Sequence, residues 1–245
     1  MKIATWNLER LGSEKKLPAI RRAMDLAAAD IWILTETRAS LELPAAYFGV
    51  HAPPHPKRRP DEDERWVSIW SRWPLEQIAP APSPRGSLVA KCTTPLGELI
   101  IYGTVLPWHA ETGERDPKAK PWEVHYEEIE RQGAEWEELR KAHPDAGLLV
   151  AGDFNQSRDD SNWYGTKKGR SLLSTRLEAA NLVFLTAADV VAAGLLSKNH
   201  LIDHICLSEN WHSTHRVQVS CWEPVDSEGL KMSDHPGVAV ELTRI

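Results

Sequence analysis

The sequence predicts an α/β protein, and three observations carry that expectation. A strand-like run, Ile3 to Asn7, is followed by an amphipathic helical stretch and a second apolar run, Ile31 to Thr35. Strand, helix, strand is the order in which such folds begin. Two further strand-like runs, Ser87 to Thr93 and Leu99 to Val105, flank the turn chemistry of Pro95-Leu96-Gly97-Glu98 and read as a hairpin. A long helix with one apolar stripe, Pro121 to Lys141, separates that hairpin from the strands that follow.

Leu17 to Ala29 has Leu17, Ile20, Met24 and Ala27/Ala28 at helical spacing, with Arg21, Arg22 and Asp25 on the other side. Ile31 to Thr35 (IWILT) has the composition of a buried strand, and Trp66 to Ser71 is also strand-like. In the long helix Trp122, Tyr126, Ile129, Gly133 and Trp136 fall at alternating steps of four and three, while Glu123, Glu127, Glu130 and Glu137 lie off that stripe. Leu148 to Ala151 is a short buried strand, Ser171 to Ala180 is helical, and Leu201 to Leu207, Val217 to Trp222 and Val238 to Leu242 are the last strands. His51 to Arg65, Leu106 to Pro121 and Gln156 to Arg170 read as long surface loops, which tend to carry function. No internal repeat or flexible linker breaks the chain, so one domain over residues 1–245 is expected.

Composition excludes several classes. With 245 residues, 42% hydrophobic and 26% charged, the chain resembles an ordinary globular protein and not a disordered or fibrous one. Its apolar runs are too short to span a membrane, which takes about 20 residues. The first residues lack an apolar segment followed by a cleavage site. Cys92, Cys206 and Cys221 are odd in number and have no Cys-x-x-Cys spacing, which predicts reduced, buried thiols in a cytoplasmic chain. A net charge of −6 means that a polyanion would have to be met by a local patch or a bound cation. There is neither a P-loop nor a Gly-x-Gly-x-x-Gly, so no nucleotide cofactor is expected. A monomer that does not engage membranes is the expected form.

The chemistry lies at the strand ends. Asn7 ends the first strand and Glu36 follows IWILT. Asp153 and Asn155 follow LLVA-Gly152, Asp203 and His204 interrupt LIDHICL, and Asp234 and His235 precede the last strand. Each signal alone has a plainer reading. Gly-Asp-x-Asn is also an Asx turn, and Ser-Asp-His is also a helix cap. Together they gather carboxylate and amide oxygens at one rim. Such groups are costly in a core and useful around a hard cation, Mg²⁺ or Mn²⁺ in preference to zinc.

With those residues in view, the sequence resembles the endonuclease/exonuclease/phosphatase superfamily. The matching segments are TWNLE, ILTET, YGTVLPW, GDFNQ, LIDHICLS and SDHPGVAVEL, spread from the first strand to the last. The resemblance implies a four-layer αββα sandwich, two mixed β-sheets face to face with helices outside. It implies metal-dependent hydrolysis of phosphodiesters or phosphomonoesters. By motif position, Glu36 would be the main metal ligand with Asn7 beside it, and Asp234 would complete the metal or leaving-group side. Asp153 would orient or deprotonate the attacking water, Asn155 would hold the phosphate or that water, and His235, paired with Asp203, would contact the phosphate. One position departs from the pattern: relatives usually carry Tyr or His where Val105, or Thr104 on a shifted register, stands here. His109, four residues on, either reaches back to the phosphate in its place or is an exposed loop residue. Glu9 is either an additional water-mediated metal carboxylate or a surface group.

The substrate is expected to be nucleic acid, DNA or RNA. Trp163, Tyr164, Lys167, Lys168 and Arg170 interleave rings with cations after GDFN, as a nucleic-acid strand requires. The same Trp-Tyr pair also suits a loop anchored to the core. Only this loop is net basic, with four basic and two acidic residues; the other two are balanced. A small phosphoester, such as a nucleotide or an inositol phosphate, is therefore the alternative. A binding module without catalysis is a third reading, against which the retained acids speak: without a cation their repulsion costs stability.

Overall fold

The computed structural model describes residues 1–54, 62–80, 86–111 and 120–245. In the first sheet the spatial order is β11 (His215–Trp222), β12 (Gly237–Arg244), β1 (Lys2–Asn7), β2 (Ile31–Arg38), β4 (Glu64–Ser71) and β3 (Phe48–His51). In the second it is β5 (Glu76–Gln77), β6 (Ser87–Thr94), β7 (Gly97–Val105), β8 (Gly147–Asp153), β10 (Asp203–Ser208) and β9 (Leu182–Phe184). Each sheet has one parallel pair, β1 with β2 and β7 with β8, and its other pairings are antiparallel. The sheets are thus mixed.

Alternation along the strands builds the layers. Ile3, Ile31, Ile33, Val67 and Ile69 of the first sheet meet Leu88, Ile101, Leu149, Ala151 and Ile205 of the second in one buried core. Residues of opposite parity face outward. Ala4, Trp6, Trp32 and Leu34 pack with Ile20 and Met24 of α1 (Leu17–Ala27). Ile100, Tyr102, Leu148 and Val150 pack with Ile129 and Trp136 of α2 (Glu123–Ala142) and Leu173 and Leu177 of α3 (Lys167–Ala179). The result is the αββα sandwich. Between the sheets, Gly103 leaves room for its neighbour: a Cβ there would lie 2.5 Å from Val67 Cγ1.

The departures from expectation have physical causes. The strands β3, β5 and β9, absent from the sequence reading, are short edge strands with one neighbour each, so little pattern marks them. Helix α3 starts at Lys167 and not at Ser171, because the Thr166 side chain accepts the Gly169 N–H and caps the first turn. Trp122 lies outside α2 as a left-handed N-cap residue with φ 74°. Gly133, also on the predicted stripe, packs against Arg176 of α3. His212-Ser213-Thr214-His215, which reads from the sequence as a surface turn, instead has His212 closing the short helix α4 (Glu209–His212) and His215 opening β11, buried with Nδ1 2.8 Å from the Trp211 carbonyl. Lys57, Arg58 and Arg59, the one basic run in the sequence suggestive of a membrane-acting relative, lie outside the described residues.

Candidate active site

Strand direction gathers the polar residues at one rim. β1, β2, β7 and β8 end there, while β4, β10 and β12 begin there. The registers Asn7↔Thr35, Val105↔Asp153 and Asp203↔Asp153 put these residues side by side. Asn7, Asp153 and Asp203 share the parity of the inter-sheet core, so they close its end. His204 has the opposite parity. It is buried between Phe154 and Phe184, with its ring nitrogens 3.0 Å from Gln156 O and 3.1 Å from Thr186 Oγ1.

The turn after β8 both is an Asx turn and orients the site. Asn155 N–H donates to Asp153 Oδ1 (2.8 Å). The Asn155 side-chain amide donates to Asp153 Oδ2 (3.0 Å) and to the Leu106 carbonyl (2.9 Å). Gly152 makes the turn feasible: its φ is 142°, and a Cβ there would lie 1.9 Å from Thr104 O. Asn7 Nδ2 points at two carboxylates, 3.1 Å from Asp153 Oδ2 and 3.2 Å from Glu36 Oε1. Asn7 Oδ1 instead accepts the Glu9 N–H.

On the facing side, His235 Nδ1 lies 2.5 Å from Asp203 Oδ2. That bond fixes the ring with Nδ1–H toward Asp203 and Nε2 toward the rim, 3.9 Å from the half-exposed Asp234. The His235 backbone is held as well: its carbonyl accepts Trp6 Nε1–H, and its N–H donates to Ser233 Oγ, which in turn donates to Asn7 O. Asp153, Asp203 and His235 place ligating atoms within 4.8 Å of one another. Asn7 bridges Asp153 to Glu36, so one contiguous cluster runs from Glu36 to His235.

Strain concentrates in the same place. Glu9, Arg10, Leu11, Glu36 and Asn155 all have positive φ, between 44° and 58°. Non-glycine residues held there cost energy and persist where surrounding structure enforces them. The β2–β4 ladder runs from Thr35↔Val67 to Thr37↔Arg65, with Glu36 twisted between.

Electrostatics follows from burial. Desolvation of its buried carboxyl, with Asp203 and Glu36 adding like charge against His235, pushes Asp153 up to about 8. Asp203 is likewise raised by burial, against the pull of His235. Burial alone would lower His235, but Asp203 and Asp153 overcome it and push the imidazole up to about 10, so it is a cation at neutral pH. Asp203 Oδ1 is buried with no hydrogen-bond partner among the described residues. Crowded hard oxygens, a desolvated acid and an unsatisfied carboxylate oxygen fit a divalent cation such as Mg²⁺ or Mn²⁺.

The remaining candidates line the approach. His109 Nδ1 lies 2.9 Å from the Tyr164 hydroxyl. Burial, with the nearby Asp153 charge, raises the Tyr164 phenol. Rings continue outward from there: Trp108 beside His109, Trp122 beside Tyr164, and Trp163 between Tyr164 and a stacked His200. Trp108 and Trp163 are half exposed or more. The cations have other contacts. Lys168 Nζ sits 4.3 Å over the Tyr126 ring, and Arg170 reaches the Tyr164 carbonyl at 3.4 Å. Lys167 is exposed on the first turn of α3. Val105 is buried, with its N–H donated to Gly86 O, and the Thr104 hydroxyl donates into the helix layer, to Gln132. Glu9 turns away to Lys16 (2.8 Å) and Lys231 (3.1 Å).

Two features had no sequence signal. Arg10 Nε lies 3.1 Å from Glu36 Oε2 and 3.2 Å from Glu64 Oε1, and only the β2–β4 register brings Glu64 there. Asp159, Asp189 and His200 form a second group with ligating atoms within 4.8 Å. Its carboxylates already cap local turns at Ser161 and at Val191 and Ala192.

The model of the "Endonuclease/Exonuclease/phosphatase family" matches residues 4–235. No curated protein matches the chain. Among solved structures, an AP endonuclease from Archaeoglobus fulgidus superposes with TM-score 0.71 at 14% identity, covering 99% of both chains. A point variant of the 3′ phosphatase NExo from Neisseria, bound to product DNA hairpin, gives 0.64 at 20% identity over 99% of both chains. An endonuclease/exonuclease/phosphatase from Beutenbergia cavernae gives 0.64 at 17% identity, covering 100% of this chain and 71% of that one. At these identities the likeness shows the fold.

Proposed function

Because the chain belongs to the endonuclease/exonuclease/phosphatase family, we propose that it is a divalent-metal-dependent phosphodiesterase acting on nucleic acid. The observation that carries the reading is the contiguous cluster from Glu36 through Asn7 and Asp153 to the Asp203–His235 pair. Glu36 and Asp153 supply the carboxylates for the cation, and Asn7 holds the two in register. The bound cation would neutralise phosphate charge and lower the pKa of water. Asp153 accepts the proton of the attacking water; its raised pKa suits that task once a cation offsets its desolvation. Asn155 fixes the Asp153 carboxylate in one orientation. The His235 imidazolium directs Nε2–H to a phosphoryl oxygen and opposes the charge that develops there. Asp203 keeps that imidazole protonated and turned to the rim.

Nucleic acid is favoured by the run of rings leading out from Tyr164, where bases stack without regard to sequence. The acidic chain and the existing contacts of Lys168 and Arg170 limit phosphate neutralisation, so the salt slope of binding should correspond to about two or three phosphates. The same two limits favour the second reading, a small phosphoester. A panel of single-stranded DNA, duplex DNA, abasic DNA, RNA, nucleotides and inositol phosphates, with Mg²⁺ and Mn²⁺, decides between them. Faster turnover of a polynucleotide, lost in Trp163→Ala mainly through KM, is expected. Turnover confined to small phosphoesters would overturn the nuclease reading.

A further inference from the structure

Arg10 is a cation inside the proposed metal site. It sits in the left-handed run Glu9–Leu11, directly after β1, and its carbonyl accepts Arg38 Nε–H at 3.1 Å. The backbone is therefore pinned while the side chain reaches the rim. Its Nε lies between two carboxylates, 3.1 Å from Glu36 and 3.2 Å from Glu64, and the guanidinium lies over the Trp66 ring at 5.6 Å. That Nε is buried yet makes no aligned hydrogen bond among the described residues. It is held by charge and stacking, without the directional fork that makes arginine–carboxylate pairs rigid.

We propose that Arg10 is a displaceable counter-ion of the metal site: it neutralises Glu36 while no cation is bound, yields Glu36 to the cation, and turns to the substrate phosphate. The inference rests on the proposed function, in which Glu36 holds the metal. Two ligands on one octahedral Mg²⁺ lie about 3 Å apart. A guanidinium 3.1 Å from Glu36 stands beside the proposed metal ligand, within side-chain reach of a phosphate held there. Glu64 and Trp66 keep it at the rim after it leaves Glu36. This gives the site a cationic side chain besides the His235 imidazolium, where Val105 supplies no polar group.

Such a competitor has a signature that a structural arginine lacks. Removing it should tighten metal binding while weakening substrate binding. Mn²⁺ affinity is read directly, by paramagnetic resonance of free Mn²⁺ without substrate, for the wild-type protein, Arg10→Met and Arg10→Lys. KM and kcat for a dinucleotide phosphodiester are measured alongside. Arg10→Met is expected to bind Mn²⁺ roughly threefold more tightly, the scale of a partly exposed ion pair, and to raise KM about tenfold with a smaller change in kcat. Arg10→Lys, which keeps the charge and secures the test should the Met variant fail to fold, should stay within about twofold of wild type in Mn²⁺ affinity. Equal or weaker Mn²⁺ binding by Arg10→Met, or an unchanged KM, would overturn the inference while leaving the phosphodiesterase reading intact. A wild-type protein that binds no Mn²⁺ would overturn both.

Discussion

Asp153 is asked to be both buried and ionised. Its carboxyl ends a fully buried strand, and desolvation raises it to about 8. Two Asn155 donors and Asn7 hold it in place without neutralising it. Asp153→Asn keeps the shape and removes the proposed proton acceptor, so kcat should fall by about 10²–10⁴ in a hydrolysis assay. Asp203→Asn should cost a similar factor, because it weakens the charge that keeps His235 protonated and leaves its tautomer unfixed. His109 differs in standing, since its ring is bonded to Tyr164. We expect His109→Ala to lose about tenfold in kcat/KM if it contacts phosphate; a loss under about threefold would leave it as a support for Tyr164 alone. Asn7, Glu36, Asp153, Asp203 and His235 were legible in the sequence because each sits next to a recognisable strand end. Arg10 and Glu64 were not, because their meeting depends on a cross-strand register that no local pattern records.

At the scale of elements, the β8 turn carries the most constraint. Gly152 adopts a φ of 142° with Thr104 O in the space a Cβ would fill. Gly152→Ala should therefore destabilise by more than about 3 kcal/mol and reduce activity with it, as thermal melts and turnover would show. Central strands could be read from short apolar runs, since burial on both faces enforces them, and the long helix from its periodicity. The edge strands β3, β5 and β9 could not, and neither could the first turn of α3, which depends on the Thr166 cap. The misplacement of α3 mattered for function. Lys167, Lys168 and Arg170 read as loop cations, whereas they belong to a helix whose neighbours Tyr126 and Tyr164 occupy two of them.

For the whole molecule, the two sheets act as a frame that forces acids together, and the pH dependence of stability should report it. His235 binds its proton more tightly in the folded state than in the unfolded one, so its contribution is fully present below about pH 6.5 and is lost as pH rises through about 10. Asp153, also raised, makes the fold lose stability as pH rises between about 4 and 8, because its ionised form is disfavoured by burial. Both effects have the same sign. The melting temperature in EDTA should fall steadily between about pH 6 and pH 10, and Mg²⁺ or Mn²⁺ should lift the curve most above about pH 7. A melting temperature that rises with pH in EDTA would contradict these proton affinities.

The most direct test is hydrolysis of bis-p-nitrophenyl phosphate by the wild-type protein and Asp153→Asn, each with Mg²⁺ or Mn²⁺ and with EDTA. Metal-dependent release of nitrophenol by the wild type, absent in EDTA and reduced by at least about 10² in the variant, is the predicted result. Equal rates with EDTA and metal, or full activity in Asp153→Asn, would contradict a metal-dependent phosphodiesterase centred on that carboxylate.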